Sequence, residues 1–375
     1  MAQPKDFGFG SEEQMIRASA KKFLDEHCNV EKLRALVAGD PRPERENKAA
    51  WDETLWNKCV ELGWTQLAVP EAAGGAGMKM VAIAALAEEI GRHAFPSPIL
   101  STFFATFVLR ECGTDAAKAA LGKITEGAPM TLAITNAGGS WNALDTDVEA
   151  KGDKLSGTAS FVQDARKVKF FVVSARSGKD VGLYLVPADG KGVSIKADRI
   201  VDLTRDQARV EFKDVAATAL APAGQGGKAL SKALPSILTT LAADLVGGAE
   251  WALQTTVQYA KVREQFGHPI GFFQAVKHPL VNAMIAIDQA KSLVYNAACA
   301  IDTEPEEAEK FARMAKAAAS DAASFASDRA VQLHGGIGFT WECDVHIFFK
   351  RNKHGQFLFG DAPQQRRKLA PMIVR

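Results

Sequence analysis

A chain of 375 residues with 47% hydrophobic content is long enough for roughly two or three domains and carries the apolar material to bury their cores. Its 45 Lys and Arg against 44 Asp and Glu leave a formal charge of +1, which excludes global attraction to nucleic acid or anionic lipid, so an anionic ligand must be met locally. The five cysteines, Cys28, Cys59, Cys112, Cys299 and Cys343, are odd in number and scattered without CxxC or metal-ligand spacing. The opening MAQPKDFGFGSEEQM has no basic region leading into an apolar run, so no secretion signal is expected and a reducing cytoplasm is the expected compartment.

In chain order, SEEQMIRASAKKFLDEH places Ile16, Ala20, Phe23 and Leu24 on one helical face, with Ser11 and Gln14 as a capping box. DPRPEREN is a polar connection, AAWDETLWNKCVELGW is again amphipathic, and VPEAAGGAGM is a glycine-rich loop. KMVAIAALAEEIGRH and SPILSTFFATFVLREC read as two mostly buried helices, so residues 1–127 form an all-α domain. The pattern then changes to short runs rich in β-branched and aromatic residues: MTLAITN, TDVEAKGDKLSGTASFVQ, VKFFVVSARS, VGLYLVPAD, GVSIKADRI and ARVEFKDVAA. They predict an antiparallel β domain over residues 128–222, with APAGQGG as the way out.

Four long helical segments follow, and residues 223–375 are expected to form a four-helix bundle. The most apolar stretch, LPSILTTLAADLVGGAEWAL, carries Asp244, Glu250 and two glycines, which suits a buried helix and not a membrane span. The fold class is therefore α+β, in three parts.

Two motifs interrupt the bundle. In RAVQLHGGIGFTW, residues 329–341, the helical pattern stops on a glycine pair flanked by polar side chains. One reading is a C-cap; the other is that the glycines admit a ligand to the backbone while Gln332 offers its amide. In YAKVREQFGHPIGFFQAVKH, residues 259–278, Arg263 sits at a helix end beside Phe266 and Gly267, with Gln274 opening the next helix. That is either an anion site, since guanidinium and helix-initiating N–H groups both suit phosphate, or a solvated corner.

The three-part organisation, these two motifs, VPEAAGGAGM and LAEEIGRH together resemble the acyl-CoA dehydrogenase family over nearly the whole chain. The resemblance implies FAD, an acyl-CoA substrate, an electron-transfer flavoprotein as electron acceptor, and a homo- or hetero-oligomer with a related chain. It implies that Arg263, Phe266 and Gln274 meet the FAD pyrophosphate region, and that Gln332, Gly335 and Gly336 of an adjacent subunit hold the dinucleotide from the other side. The family's Thr-Glu-Pro loop reads AITNAGGSWN here, keeping Thr135 as a flavin contact. Its Trp-Ile-Thr strand end reads SFVQDA, with Phe161 for the Trp and Gln163 for the Thr.

The family's catalytic Glu lies in a Tyr-Glu-Gly turn, which here reads FLFGDAPQQRR. Gly360 or its neighbour stands at the Glu position, and Asp361 is the adjacent carboxylate and the candidate base. The alternative family position falls near Ile237, which cannot serve, and Asp244 lies two turns beyond it. The chemistry implied is removal of an α-proton by a carboxylate held in an apolar pocket, with β-hydride transfer to flavin N5 and donors at the thioester oxygen. His334, His346 and His354 form no metal-ligand spacing; for His346 and His354 polar surface or interface positions are expected, and no metal is assigned. QQRRKLA reads as a solvated helix face within reach of CoA phosphates. Two further readings stay open: a non-catalytic subunit of a heteromeric dehydrogenase, and a flavin monooxygenase or oxidase on the same scaffold.

Overall fold

The computed structural model describes residues 7–37 and 49–374; the polar connection expected at DPRPEREN lies outside them. The N-terminal region is helical: α1 (Ser11–His27), α2 (Val30–Val37), α3 (Glu53–Glu61), α4 (Met80–Arg92), α5 (Ile99–Cys112) and α6 (Asp115–Thr125). The cap of α1 is displaced by one residue from the expected box. Gly10 is the N-cap, and the Glu13 carboxylate accepts its N–H at 2.9 Å, because Glu13 and not Gln14 stands three residues on. In α3, Asp52 caps conventionally, accepting from the Thr54 and Leu55 N–H groups. Every residue of α4 from Met80 to Gly91 is buried, as expected for a helix enclosed on all sides.

The middle region is one sheet of β1 (Met130–Ala133), β2 (Val148–Lys151), β3 (Lys154–Gln163), β4 (Phe170–Ser177), β5 (Asp180–Pro187), β6 (Val193–Ala197), β7 (Gln207–Ala216) and β8 (Thr218–Ala221). Most neighbours pair antiparallel, as the turn-separated runs predict. Two pairs depart from the expectation: β4 runs parallel to both β1 and β2, because β1 enters from the helical region and the long loop after it returns the chain in the same direction.

The C-terminal region holds α7 (Gly226–Val262), α8 (Gln274–Thr303), α9 (Pro305–His334), α10 (Val345–Phe357) and α11 (Ala362–Ile373), with a two-residue-per-strand hairpin, β9 (Glu264–Gln265) and β10 (His268–Pro269), between α7 and α8. The expected fourth helix is thus two. α10 ends where Leu358 turns extended, Phe359 and Gly360 then both adopt left-handed backbone, φ 55° and 97°, and Asp361 caps α11. By length and composition α7 could cross a membrane, but 72% of the relevant window is buried inside this fold.

The helical region and the bundle are joined where α4 crosses α7 with backbones in contact. A Cβ on Gly91 would lie 1.9 Å from the Asp244 carbonyl oxygen, and one on Gly247 would lie 1.9 Å from that of Glu88. Beside this crossing, Glu88, 1% exposed, accepts from Arg17, Arg92, Lys291 and the Tyr295 hydroxyl, so α1, α4 and α8 are tied through one carboxylate.

Gly247→Ala is therefore expected to lower stability by about 3 kcal/mol or more through overpacking against backbone. Gly122→Ala in α6, whose added Cβ meets nothing within 4 Å, should be neutral or slightly stabilising. Paired denaturant melts check the contrast.

Candidate functional site

Two cavities adjoin between the sheet and the C-terminal helices. The smaller, about 650 Å³, has Thr135, Trp141, Phe161, Phe349, His354 and Phe357 in its wall. Thr135 is buried, and its carbonyl accepts the Ser160 N–H at 2.8 Å, which fixes the loop after β1 against β3. Phe161 has φ 55° and is 38% exposed, so its ring stands at the cavity. Gln163 does not border the cavity. Its Nε2 donates to the Phe161 carbonyl at 3.1 Å and to Gln207 Oε1 at 2.9 Å, and its Oε1 meets His354 Nε2 at 2.9 Å.

Of the two histidines expected at polar surface or interface positions, His346 is buried and His354 is half-buried. His346 is 5% exposed and packs edge-on to Trp341. Burial pushes the His354 imidazole down to about 4, with Asp202 opposing the shift and Arg205 and Arg351 adding to it. Nothing in the spacing of these histidines revealed this, because α10 is framed by a turn whose position follows from left-handed residues and not from periodicity. Behind His354, Arg351 donates to Asp244 Oδ1 at 2.6 Å and to Thr204 Oγ1 at 2.9 Å, and Arg205 pairs with the same Asp244. Asp244 is thus held by two arginines and lines neither cavity, which removes it as a candidate base.

The larger cavity, about 1070 Å³, is bounded by the Ser140–Asp145 loop, the first turns of α7, and residues of α9 and α11. Trp141 borders both cavities and stacks on Phe359 with ring centroids 4.4 Å apart and planes at 23°, so this stack is the partition. Ile237 lines the larger cavity as an apolar residue. Four exposed lysines, Lys179, Lys228, Lys232 and Lys368, also line it. Among the described residues its carboxylates are Asp145, Asp180 and Glu309, none of them marked by the sequence motifs. Asp145 accepts from the Ser140 hydroxyl at 2.6 Å, and Glu309 pairs with Arg313.

The turn between α10 and α11 is held from α9. Lys316, 0% exposed, donates to the Gln356 and Gly360 carbonyls at 2.9 and 3.2 Å and contacts the Ser320 hydroxyl at 3.1 Å. Burial pushes its ammonium down to about 7, with Asp361 opposing. One turn earlier Arg313 donates to Gln365 Oε1, whose Nε2 donates to the Phe359 carbonyl at 2.6 Å. In this frame Asp361 Oδ1 accepts the Gln364 N–H at 2.9 Å as the N-cap of α11, and the residue lines neither cavity. Lys316 escaped sequence reasoning because a Lys at one core position of a long helix gives no signal until its acceptors are known.

The remaining expected residues gather at the far end of the bundle. Tyr259 in the last turn of α7 stacks on His334 in the last turn of α9, with centroids 4.2 Å apart, which sets Arg263 and Phe266 beside Gln332, Gly335 and Gly336. They share one end of one chain. All five, with Gln274, are exposed, Phe266 by 89%. Gly335, φ 64°, closes α9 as a cap. A Cβ on Gly336 meets nothing within 4 Å and its φ is not left-handed, so nothing in the chain itself calls for a glycine there. Ile237 and Arg263 lie on one continuous helix, about 40 Å apart at 1.5 Å per residue, so this end does not reach the chain's own larger cavity.

Residues 10–128 match the acyl-CoA dehydrogenase N-terminal domain family and residues 224–373 the acyl-CoA dehydrogenase C-terminal domain family. Acyl-CoA dehydrogenase IpdE2 of Mycobacterium tuberculosis is 32% identical over 355 residues, 94% of each chain. The solved structure of the Tcur3481-Tcur3483 steroid ACAD is similar with a TM-score of 0.85 and 31% identity, covering 97% of this chain and 98% of that one. The ChsE4-ChsE5 complex from Mycobacterium tuberculosis gives a TM-score of 0.86 at 25% identity, covering 99% of both chains. The fold, the paired cavities and these matches define a dehydrogenase of the acyl-CoA type. The chain belongs to the acyl-CoA dehydrogenase family.

The burial of His354 has a pH consequence. Its folded pKa of about 4 lies below the ordinary 6.5, so between these values the unfolded chain binds more protons and stability falls as pH drops. His354→Phe is expected to lose less thermal stability than the wild type between about pH 7 and about pH 4, as read by circular dichroism melts.

Proposed function

We propose that this chain is an FAD-dependent acyl-CoA dehydrogenase that introduces a Cα–Cβ double bond into an acyl-CoA thioester. The observation that carries the reading is the pair of cavities meeting at Trp141, the smaller walled by Thr135 and Phe161 at family flavin positions and the larger lined by lysines. The donor set suits a dinucleotide. Arg263 offers a guanidinium for phosphate, Gln274 and Gln332 offer amides, and Gly336 leaves space that its own chain does not use. Bound there, FAD supplies the acceptor for the β-hydride.

Because the Arg263 end does not reach the chain's own larger cavity, the complete site joins two chains. The exposed apolar residues Val281, Met284 and Ile285 along α8, with Ile337 and Phe339 beyond α9, support a dimer of dimers, homomeric or with a related chain. Arg263→Ala is expected to lower flavin occupancy by at least roughly tenfold at limiting FAD through loss of a charge-assisted contact. The flavin-to-protein absorbance ratio after gel filtration checks it; unchanged occupancy counts against this phosphate site.

The acyl-CoA enters the larger cavity. Lys179, Lys228, Lys232 and Lys368 attract the CoA phosphates, Lys232 being only loosely engaged by Glu111 at 3.8 Å. The Phe359–Asp361 turn brings a backbone N–H toward the thioester oxygen, and Lys316 and Gln365 fix that turn from α9. The volume of about 1070 Å³ has room for a bulky acyl group, and the relative named as a steroid ACAD makes polycyclic thioesters the first to try. An electron-transfer flavoprotein takes the electrons onward.

Proton removal has two readings. Asp361 is the carboxylate in the turn and reaches the α-carbon if its cap to Gln364 opens. The cap itself favours the second reading, in which a related chain carries the base and this chain contributes the flavin and binding walls. Gly360 also favours it, since the residue at the family's Glu position here carries no side chain. Asp361→Asn separates the readings. A loss of flavin reduction by at least roughly 10² with FAD retained assigns the base to Asp361, and near wild-type reduction assigns it elsewhere.

A further inference from the structure

Behind the wall of the smaller cavity a polar chain runs from Asp198 through Gln207 and Gln163 to His354, of which Gln207 and His354 border the cavity. At one end Gln207 Nε2 donates to the Asp198 carboxylate at 2.9 Å. That orients the Gln207 amide and turns its Oε1 toward Gln163 Nε2 at 2.9 Å. Gln163 Nε2 also donates to the Phe161 carbonyl at 3.1 Å, a group that can only accept, so the Gln163 amide is oriented twice over. Its Oε1 is therefore the atom facing His354 Nε2 at 2.9 Å, and that nitrogen must carry the hydrogen. The imidazole is neutral, held so by burial against Arg205 and Arg351 and only partly opposed by Asp202 and Asp164. Nδ1 is then a lone-pair acceptor. It has no hydrogen bond among the described residues and is not an orphaned buried atom, and the half-buried ring borders the cavity.

We infer that His354 Nδ1 is a hydrogen-bond acceptor for a ring N–H of the flavin, with Gln163, Gln207 and Asp198 setting its tautomer. The inference rests on the reading above that this cavity holds the flavin ring. It gives Gln163 a role at one remove, through His354, in place of direct contact. It also narrows what the contact does, because the oxidised flavin ring has one N–H, at N3, and reduction adds one at N5 and, in the neutral reduced ring, another at N1. An acceptor to N3–H strengthens binding of both forms; an acceptor to N5–H strengthens the reduced form alone.

The test compares wild type, His354→Phe and Gln163→Leu by flavin binding and by reduction potential. FAD and an FAD analogue methylated at N3 are the probes, and the potentials are measured against reference dyes. If the partner is N3–H, His354→Phe weakens FAD roughly three- to tenfold and leaves the methylated analogue unaffected. If the partner is N5–H, the variant binds oxidised FAD as the wild type does, and its potential falls. Gln163→Leu, which releases the tautomer but keeps the imidazole, should shift the same quantity in the same direction by less. Variants that bind both flavins like the wild type, at the wild-type potential, overturn the inference. A wild-type protein that takes up no FAD overturns instead the reading on which it rests.

Discussion

Helices α4 and α7 touch backbone to backbone because Gly91 and Gly247 have no side chains to hold them apart, and the placement of the site follows from that contact. The close approach puts Asp244 of α7 beside α4, within the reach of Arg205 from the loop before β7 and of Arg351 from α10. One buried carboxylate thereby connects the sheet region, the bundle and the helix that backs the smaller cavity. A buried charge of this kind gains its stability from the completeness of its partners, and here both oxygens are engaged by guanidinium groups.

From this crossing α7 extends in both directions. Its first turns form a wall of the larger cavity, and its last turn delivers Arg263 to the opposite end of the bundle. A helix is stiff over this length, so the two ends cannot serve one ligand within one chain. Phe266 is left 89% exposed and Gly336 faces open space, and in the proposed two-chain site a neighbour covers both. On α9, Arg313 and Lys316 are buried beside the α10–α11 turn. They hold a turn that no regular hydrogen-bond ladder supports, at the place where the two cavities meet.

What the sequence disclosed and what it withheld divide along physical lines. Helical periodicity marks α4 and α5, and β-branched runs mark the strands, because burial of one face imposes a repeat that a single chain displays. The motifs at Arg263 and Gln332 are visible because glycines and polar side chains interrupt a long helix. The break at Phe359–Gly360 is not, since it depends on two left-handed residues of which one is an aromatic. The parallel pairings of β4 depend on where a loop returns, which no local pattern encodes. Asp361 stands out in the sequence as a lone carboxylate, and only the geometry exposes its engagement as a cap. His354 and Lys316 acquire their character from what encloses them, so composition and spacing could not flag either.

The measurement that bears most directly on the account is anaerobic titration of the flavin-loaded native assembly with a panel of CoA thioesters, followed by the flavin absorbance. The account predicts that at least one thioester, with bulky ring-bearing acyl groups first, bleaches the flavin and yields its α,β-unsaturated product in proportion to the flavin reduced. An assembly that is fully loaded, binds the thioesters and keeps its flavin oxidised with every one of them would contradict it.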